Sequence, residues 1–314
     1  MDAPKTLQQA IIFYADPDNC HDTMVKMRWP DGVVKCPRCG SEKVTYLANA
    51  RLWKCKEKHP RQKFSLKVGT IFEDSPLGLD KWLPVVWLVA NCKNGISSYE
   101  SHRAIGVTQK TAWFMLHRVR LAMQSPFGGM LSGEIEADES FIGGKARNMH
   151  KGKRAQKIQG RGPEGKAIVA AVLSRHGEVR ATVVPSRKKG DLQKLIRDNV
   201  AEGSDLFTDD LKSYDGLGGD FAHQVINHAE AYVDGQVHTN GLENFWSLLK
   251  RSINGTYVSV EPFHLFRYVD EQAFRYNNRR EMSDADRFKK VLGQVVDKRL
   301  MYKELTGKVG QTAV

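Results

Sequence analysis

Apolar and polar positions alternate with a helical period in TLQQAIIFYADP and again in HDTMVKMRW. Pro17, between them, predicts two short helices rather than one. A longer helical stretch runs from Leu79 to Gln124 as DKWLPVVWLVANCKN, SSYESHRAIGV and TQKTAWFMLHRVRLAM. Gly106-Val107 separates the last two, and the second starts at Thr108 with Gln109, Lys110 and Thr111 in its first turn. This spacing fits a helix-turn-helix in which Ala112, Met115, Leu116 and Val119 pack inward and the polar first turn faces a DNA major groove. Helical bundles that merely pack show the same spacing.

Past the linker Ser125-Pro126-Phe127-Gly128-Gly129 the period changes. GEIEADESFI alternates as a strand does, AIVAAVLSR and VRATVVPS read as two more strands joined by a turn at His176-Gly177, and DLQKLIRDNVA is an amphipathic helix. SDLFTD and HQVINH supply two further short strands ahead of the helix in LENFWSLLKRS. Three antiparallel strands followed by helix, strand and helix is the element order of an RNase H-like α/β fold. Between the first and second strands, GGKARNMHKGKRAQKIQGRGPEGK is too basic and glycine-rich for a core. It predicts a mobile loop that gains order on DNA, with Lys145, Arg147, Lys153 and Arg154 as its phosphate contacts.

Composition adds a partner class. Lys and Arg outnumber Asp and Glu by 48 to 36, a formal charge of +12, which favours a polyanion such as nucleic acid. With 314 residues and 41% apolar content the chain can build two or three cores. No run approaches the ~20 apolar residues of a membrane span, and MDAPKTLQQA has neither a basic start nor an apolar signal core. No membrane partner is expected, and the expected location is the cytoplasm.

The five cysteines make a poor disulfide framework, and three have metal-ligand spacing. Cys36 and Cys39 form a C-x-x-C knuckle that aims two thiolates at one ion, and Cys55 follows sixteen positions after Cys39. Zn²⁺ in a ribbon explains them better than burial as small core residues, because they sit beside Pro, Gly and Lys in polar turns. His59 is the preferred fourth ligand, with Cys20 or His21 as the alternative. The chain therefore reads as multidomain, mixed α+β and α/β. It comprises an N-terminal helical segment (1–34), a zinc ribbon (35–75), a helix-turn-helix region (76–125), an RNase H-like catalytic domain (130–285) and a C-terminal helical tail (286–314).

Candidate chemistry lies in three acidic settings. On the first strand of the α/β region Glu134, Glu136 and Asp138 share one face and Glu139 points the other way. Asp138 is the preferred ligand and Glu136 the fallback. Asp209 and Asp210 end the DLFTDD run, and Asp209 lies nearer the strand. Glu243 and Lys250 stand seven positions, two helical turns, apart on one helix face. Carboxylates from three elements converge only through a fold, and such a set suits two Mg²⁺ (or Mn²⁺) ions that clamp the attacking and leaving oxygens of a phosphodiester. Lys250 and Arg251 would hold DNA nearby, although Glu and Lys along an exposed helix are more often merely solvated. His238 and Asn240 read as helix-steering or structural. Phe245 and Trp246 read as core or as base-stacking residues. Phe266, Tyr268, Phe274 and Tyr276 read as one packed face, with Arg275, Arg279 and Arg280 as phosphate contacts.

These residues together resemble the bacterial insertion-sequence transposases that join an N-terminal zinc ribbon to an Asp-Asp-Glu (DDE) catalytic domain, of the type numbered fifteen-ninety-five. The similarity runs through RWPDG, CPRCGS, FSLKVGTIFEDSPLGLDKWL, GVTQKTAWFMLHRVR, EADESFIGGK, FTDDLKSY, VHTNGLENFWSLLKRSINGTY and FRYNNR. The resemblance implies Asp138, Asp209 and Glu243 as catalytic carboxylates, Lys250 as accessory cation, and Mg²⁺ and Zn²⁺ as cofactors. It also implies terminal inverted repeats and target DNA as partners, action as a homo-oligomer on DNA, and a place at the bacterial nucleoid. His59 departs from the second Cys common in that family's ribbon. A cut-only nuclease or resolvase, and a catalytically silent DNA-binding regulator, are the competing readings on the same fold.

Overall fold

The computed structural model describes residues 3–124, 128–144, 149–158, 165–175, 177–226 and 238–307, without the side chains of residues 153, 156 and 157. Lys145, Arg147, the side chain of Lys153 and the His176 turn position lie outside the described residues. The chain divides into two compact units, residues 1–125 with 281–314, and residues 126–280.

The first unit opens with helices α1 (Leu7–Tyr14) and α2 (Pro17–Arg28). Asp16 caps α2 by accepting from the Asp18 N–H at 2.8 Å, and Pro17 presets its first turn, so the break falls where proline placed it. Strands β1 (Val44–Leu47), β2 (Leu52–Cys55) and β3 (Lys63–Phe64) form an antiparallel sheet in which Val44 pairs with Cys55 and Trp53 with Phe64. Trp53 is the centre of an aromatic core, touching Trp29, Tyr46 and Phe64 and stacking on the His21 ring at 5.5 Å. Helix α3 (Leu79–Asn91) buries Trp82, Leu83, Val85, Val86, Trp87 and Val89, a spread that runs round the helix and marks it as a core helix. Helix α4 (Ser98–Ile105) starts with a Ser97/Glu100 capping box and stops at Gly106, whose φ of +63° suits glycine. Thr108 then caps α5 (Gln109–Met123), which buries Ala112, Met115, Leu116 and Val119.

The second unit holds β4 (Glu134–Ile142), α6 (Lys151–Lys157), β5 (Ala167–Ser174), β6 (Val179–Val184), α7 (Lys189–Asn199), β7 (Asp205–Asp209), β8 (Ala222–Ile226), α8 (Asn240–Arg251) and α9 (Leu265–Asn277). Its mixed sheet has the order β6-β5-β4-β7-β8. The first three are antiparallel neighbours, while β4, β7 and β8 run parallel. Strand alternation sorts the core. Val169, Ala171 and Leu173 of β5 face Leu242, Phe245, Trp246 and Leu249 of α8, whereas Ala170 and Val172 join Ile135, Ala137, Leu192 and Ile196 on the α7 side. Helix α6 lies inside the basic segment expected as a mobile loop. KGKRAQK is rich in good helix formers once its single glycine is passed, and local propensity prevails over composition there.

Residues 281–314 complete the first unit. Helix α10 (Asp284–Gly293) places Phe288 5.5 Å from Tyr14 and 5.0 Å from Trp87, and α11 (Tyr302–Leu305) follows. Beyond α10, the Val295 carbonyl accepts from the Ile71 N–H at 3.0 Å. No helix among the described residues is long and apolar enough to cross a membrane.

Candidate functional site

Adjacent parallel strands bring two acids together. Glu136 of β4 pairs with Phe207 of β7, so the same register two residues on sets Asp138, in the middle of β4, opposite Asp209, the last residue of β7, on one face of the sheet. Carboxyl ends of parallel strands are where α/β sheets bind ligands. The carboxylate oxygens of Asp138, Glu139 and Asp209 approach within 4.8 Å of one another. Trp246 of α8 donates its indole N–H to Asp138 Oδ2 at 2.8 Å, and Asp138 Oδ1 accepts the Glu139 backbone N–H at 2.8 Å. On the other face Glu139 Oε2 accepts the Tyr214 hydroxyl at 2.8 Å. Burial, opposed by the indole donor and the Glu139 N–H and reinforced by the charges of Asp209 and Glu139, pushes the Asp138 carboxyl up to about 7. Burial raises Glu139 as well, with Tyr214 and Arg187 opposing and Asp209 adding to the shift.

Glu136, the fallback ligand of the sequence reading, has another task. It is 1% exposed, and its Oε2 accepts the Leu242 N–H at 2.9 Å, near the start of α8. Thr239, in the cap position, makes no side-chain capping bond, so a carboxylate from β4 satisfies one of the free N–H groups there. Arg175 lies 3.3 Å from Glu136 and 3.0 Å from Glu134, and it donates to the His238 carbonyl at 2.8 Å. The His238 ring nitrogen Nδ1 lies 3.4 Å from Glu136 Oε1. A Cβ on Gly241 would stand 2.4 Å from Leu173 Cδ2 and 2.8 Å from Glu136 Oε2, so helix and strand meet this closely only because that position is glycine. Period-two alternation assigned the strand faces correctly. It could not reveal that Glu136 is covered by a helix while Glu139, on the opposite face, reaches Asp138 and Asp209.

Glu243, Lys250 and Arg251 are exposed on α8, with Glu243 one turn before Trp246. Among the described residues the carboxylate of Glu243 is not part of the 4.8 Å cluster. In the first unit, the Gln109 amide donates to Ser98 Oγ at 2.7 Å, and the Thr111 and Thr108 hydroxyls are 2.8 Å apart. The Lys110 ammonium sits 4.8 Å above the Tyr302 ring. Arg154 is exposed. Arg275, read as a phosphate contact, is instead 7% exposed and paired within α9, with Glu271 and with Gln272 Oε1 at 3.0 Å. Arg279 and Arg280 are exposed.

A second cluster gathers Cys36, Cys39, Cys55 and His59, again with all donor atoms within 4.8 Å. Cys36 Sγ lies 3.5 Å from His59 Nε2, and Cys39 Sγ 3.6 Å from Cys55 Sγ. The knuckle closes through the Gly40 N–H on the Cys36 carbonyl at 2.8 Å. His59 Nδ1 lies 2.9 Å from the Pro60 carbonyl; donation there fixes the tautomer that leaves Nε2 free to bind a metal. The alternatives are engaged elsewhere: the Cys20 thiol donates to the Tyr14 carbonyl at 3.1 Å, and His21 Nε2 is 3.4 Å from the Tyr46 hydroxyl. Three thiols and one imidazole are a donor set suited to Zn²⁺, and three carboxylates one suited to Mg²⁺ or Mn²⁺.

Residues 130–277 match the sequence model of the ISXO2-like transposase domain, and residues 15–57 that of the transposase zinc-ribbon domain. The second match ends two positions before His59. An uncharacterized protein in transposable element ISH50 of Halobacterium salinarum is 28% identical over 241 residues, covering 73% of this chain and 80% of that protein. An uncharacterized transposase-like protein of Haemophilus influenzae is 32% identical over 102 residues, which is 32% of this chain and 82% of that protein.

Proposed function

The chain belongs to the insertion-sequence DDE transposases of the IS1595 type with an N-terminal zinc ribbon, and from that premise we propose that it cleaves DNA ends and joins them to target DNA at the carboxylate site of its second unit. The observation that carries this reading is the register of β4 and β7, which sets Asp138 and Asp209 side by side where β7 ends. Asp138, Asp209 and Glu243 are the proposed catalytic set, with Lys250 and Arg251 as cations on the same helix. Two bound Mg²⁺ or Mn²⁺ ions would supply a lowered pKa for the attacking oxygen and charge stabilisation for the leaving one. The protein's own part is positional. Trp246 and the Glu139 N–H orient Asp138, Glu136 and Gly241 lock the start of α8 to β4, and α8 carries Glu243.

The sheet order β6-β5-β4-β7-β8, with three antiparallel strands leading into parallel ones, supports an RNase H-like arrangement. Helices α4 and α5 with Gly106 at their junction support a helix-turn-helix, with Gln109, Lys110 and Thr111 in its first turn. The ribbon holding Zn²⁺ through Cys36, Cys39, Cys55 and His59, together with the +12 charge, suits recognition of terminal inverted repeats. Joining two ends coordinately calls for a homo-oligomer on DNA.

The test is strand transfer by the full chain on labelled pre-cleaved ends from the DNA flanking its coding region, in Mg²⁺ and in EDTA, with Asp209→Ala alongside. Joined product that needs both Mg²⁺ and Asp209 supports the proposal. Cleavage without joining would replace it with a nuclease, and binding without either reaction with a regulator.

A further inference from the structure

Asp138 and Asp209 are a small ligand set for a divalent ion, because each oxygen of Asp138 already accepts one hydrogen bond, from Trp246 or from the Glu139 N–H. Among the described residues the additional carboxylate within the 4.8 Å cluster is not that of Glu243, which is exposed and outside it, but that of Glu139. Resting on the catalytic reading above, we infer that Glu139 is a further ligand of the site. With Asp138 and Asp209 it holds one divalent cation from β4 and β7 alone, and Tyr214 is the residue that positions it.

Geometry rather than proximity alone carries the assignment. Three carboxylates repel one another at this distance, and a glutamate free to choose would turn outward. Glu139 does not, because its Oε2 is held by the Tyr214 hydroxyl, leaving Oε1 without a hydrogen-bond partner among the described residues. Tyr214 is itself 2% exposed, and the short turn Lys212–Tyr214 that presents it is pinned from α7. There Gln193, 3% exposed, donates through one amide nitrogen to the Ser213 carbonyl at 3.0 Å and the Asp215 carbonyl at 2.9 Å. A chain of buried contacts from α7 to the turn to Tyr214 thus ends on one carboxylate oxygen. Supporting hydrogen bonds of this type orient metal ligands and are worth roughly 10–100-fold in metal affinity. Glu243, on the helix, is then left to serve a second ion or the bound DNA.

Mn²⁺ titration of the zinc-loaded full chain, followed by calorimetry and by the electron paramagnetic resonance of free Mn²⁺, tests this without any turnover. Glu139→Gln and Tyr214→Phe should each weaken the tightest Mn²⁺ site about 10-fold or more, while Glu243→Gln leaves that site at wild-type affinity. Wild-type affinity in Glu139→Gln, or an equal loss in Glu243→Gln, would overturn the inference. If Glu139→Gln fails to fold by near-ultraviolet circular dichroism, Tyr214→Phe decides, since it removes only the donor; unchanged Mn²⁺ affinity there rejects the inference. Failure of the catalytic reading itself has a different signature: no Mn²⁺ bound by the wild type, or Asp209→Asn binding as tightly as wild type.

Discussion

The two metal-type clusters are gathered in opposite ways. In the ribbon, Cys36, Cys39, Cys55 and His59 come from 24 consecutive positions, and tight turns bring their donors together around a three-stranded sheet. In the second unit, Asp138 and Asp209 are 71 positions apart, and a five-stranded sheet with apolar cores on both faces places them. The ribbon is a site with little fold around it, whereas the carboxylate site is a fold with a site at its edge. An ion should therefore be a folding component of the first and only a ligand of the second.

Removal of zinc is the sharpest way to break that contrast. Structural Zn²⁺ in small modules contributes roughly 10 kcal/mol or more, so Cys39→Ser or a strong chelator should unfold the ribbon. Hydrogen exchange should show loss of protection at β1–β3 with protection in β4–β7 retained, and equal loss in both would end the distinction.

A smaller effect concerns the carboxylates. Asp138 has its folded pKa raised from 3.8 to about 7. Its burial therefore destabilises the fold progressively as pH rises through that window, fully above 7 and not at all below 3.8, by an amount on the order of 4 kcal/mol. Without divalent ions, Asp138→Asn should raise Tm at pH 8 and leave it unchanged near pH 3.5. Mg²⁺ should raise the wild-type Tm at pH 8 and have no effect on it at pH 3.5. Differential scanning calorimetry at the two pH values checks both signs.

Gly241→Ala probes the contact between α8 and β4. With Leu173 Cδ2 at 2.4 Å and Glu136 Oε2 at 2.8 Å from the added methyl, the overpacking should destabilise the second unit by about 1–3 kcal/mol. Strand transfer should fall with it while zinc content stays constant. Urea unfolding monitored in the second unit measures the first effect, and a wild-type midpoint would show that the helix does not seat as closely as described. Trp246→Phe, the mildest change, removes one donor to a charged oxygen and should lower stability by roughly 1–2 kcal/mol. It should also push the Asp138 carboxyl higher still, visible as a shift in the pH midpoint of its ¹³C carboxyl resonance.

Local features were legible in the sequence. Pro17 and Gly106 stopped helices where they stand, Thr108 capped α5, and alternation in β4 separated Glu134, Glu136 and Asp138 from the core residues Ile135 and Ala137. His59 lies with Cys36, Cys39 and Cys55, while Cys20 and His21 contact Tyr14 and Tyr46. Less was legible where a residue's role depends on what covers it. Glu136 and Asp138 look alike in EIEADES, yet one tethers a helix and the other sits in the acid cluster. Arg275 looks like Arg279 and Arg280, yet only Arg275 is buried against Glu271. The adjacency of Asp138 and Glu139 within EIEADES was the one available hint of the third carboxylate.

The sequence by itself determined the spacing of the ribbon ligands, the periods of helix and strand, and the family, because each is a short-range pattern written in consecutive residues. Only the tertiary structure decided which acids meet, that the Glu136 carboxylate serves as a cap for α8, and that residues 281–314 complete the first unit. Those outcomes depend on strand register and on helices brought from far along the chain, and a one-residue change of register would turn every carboxylate to the other face.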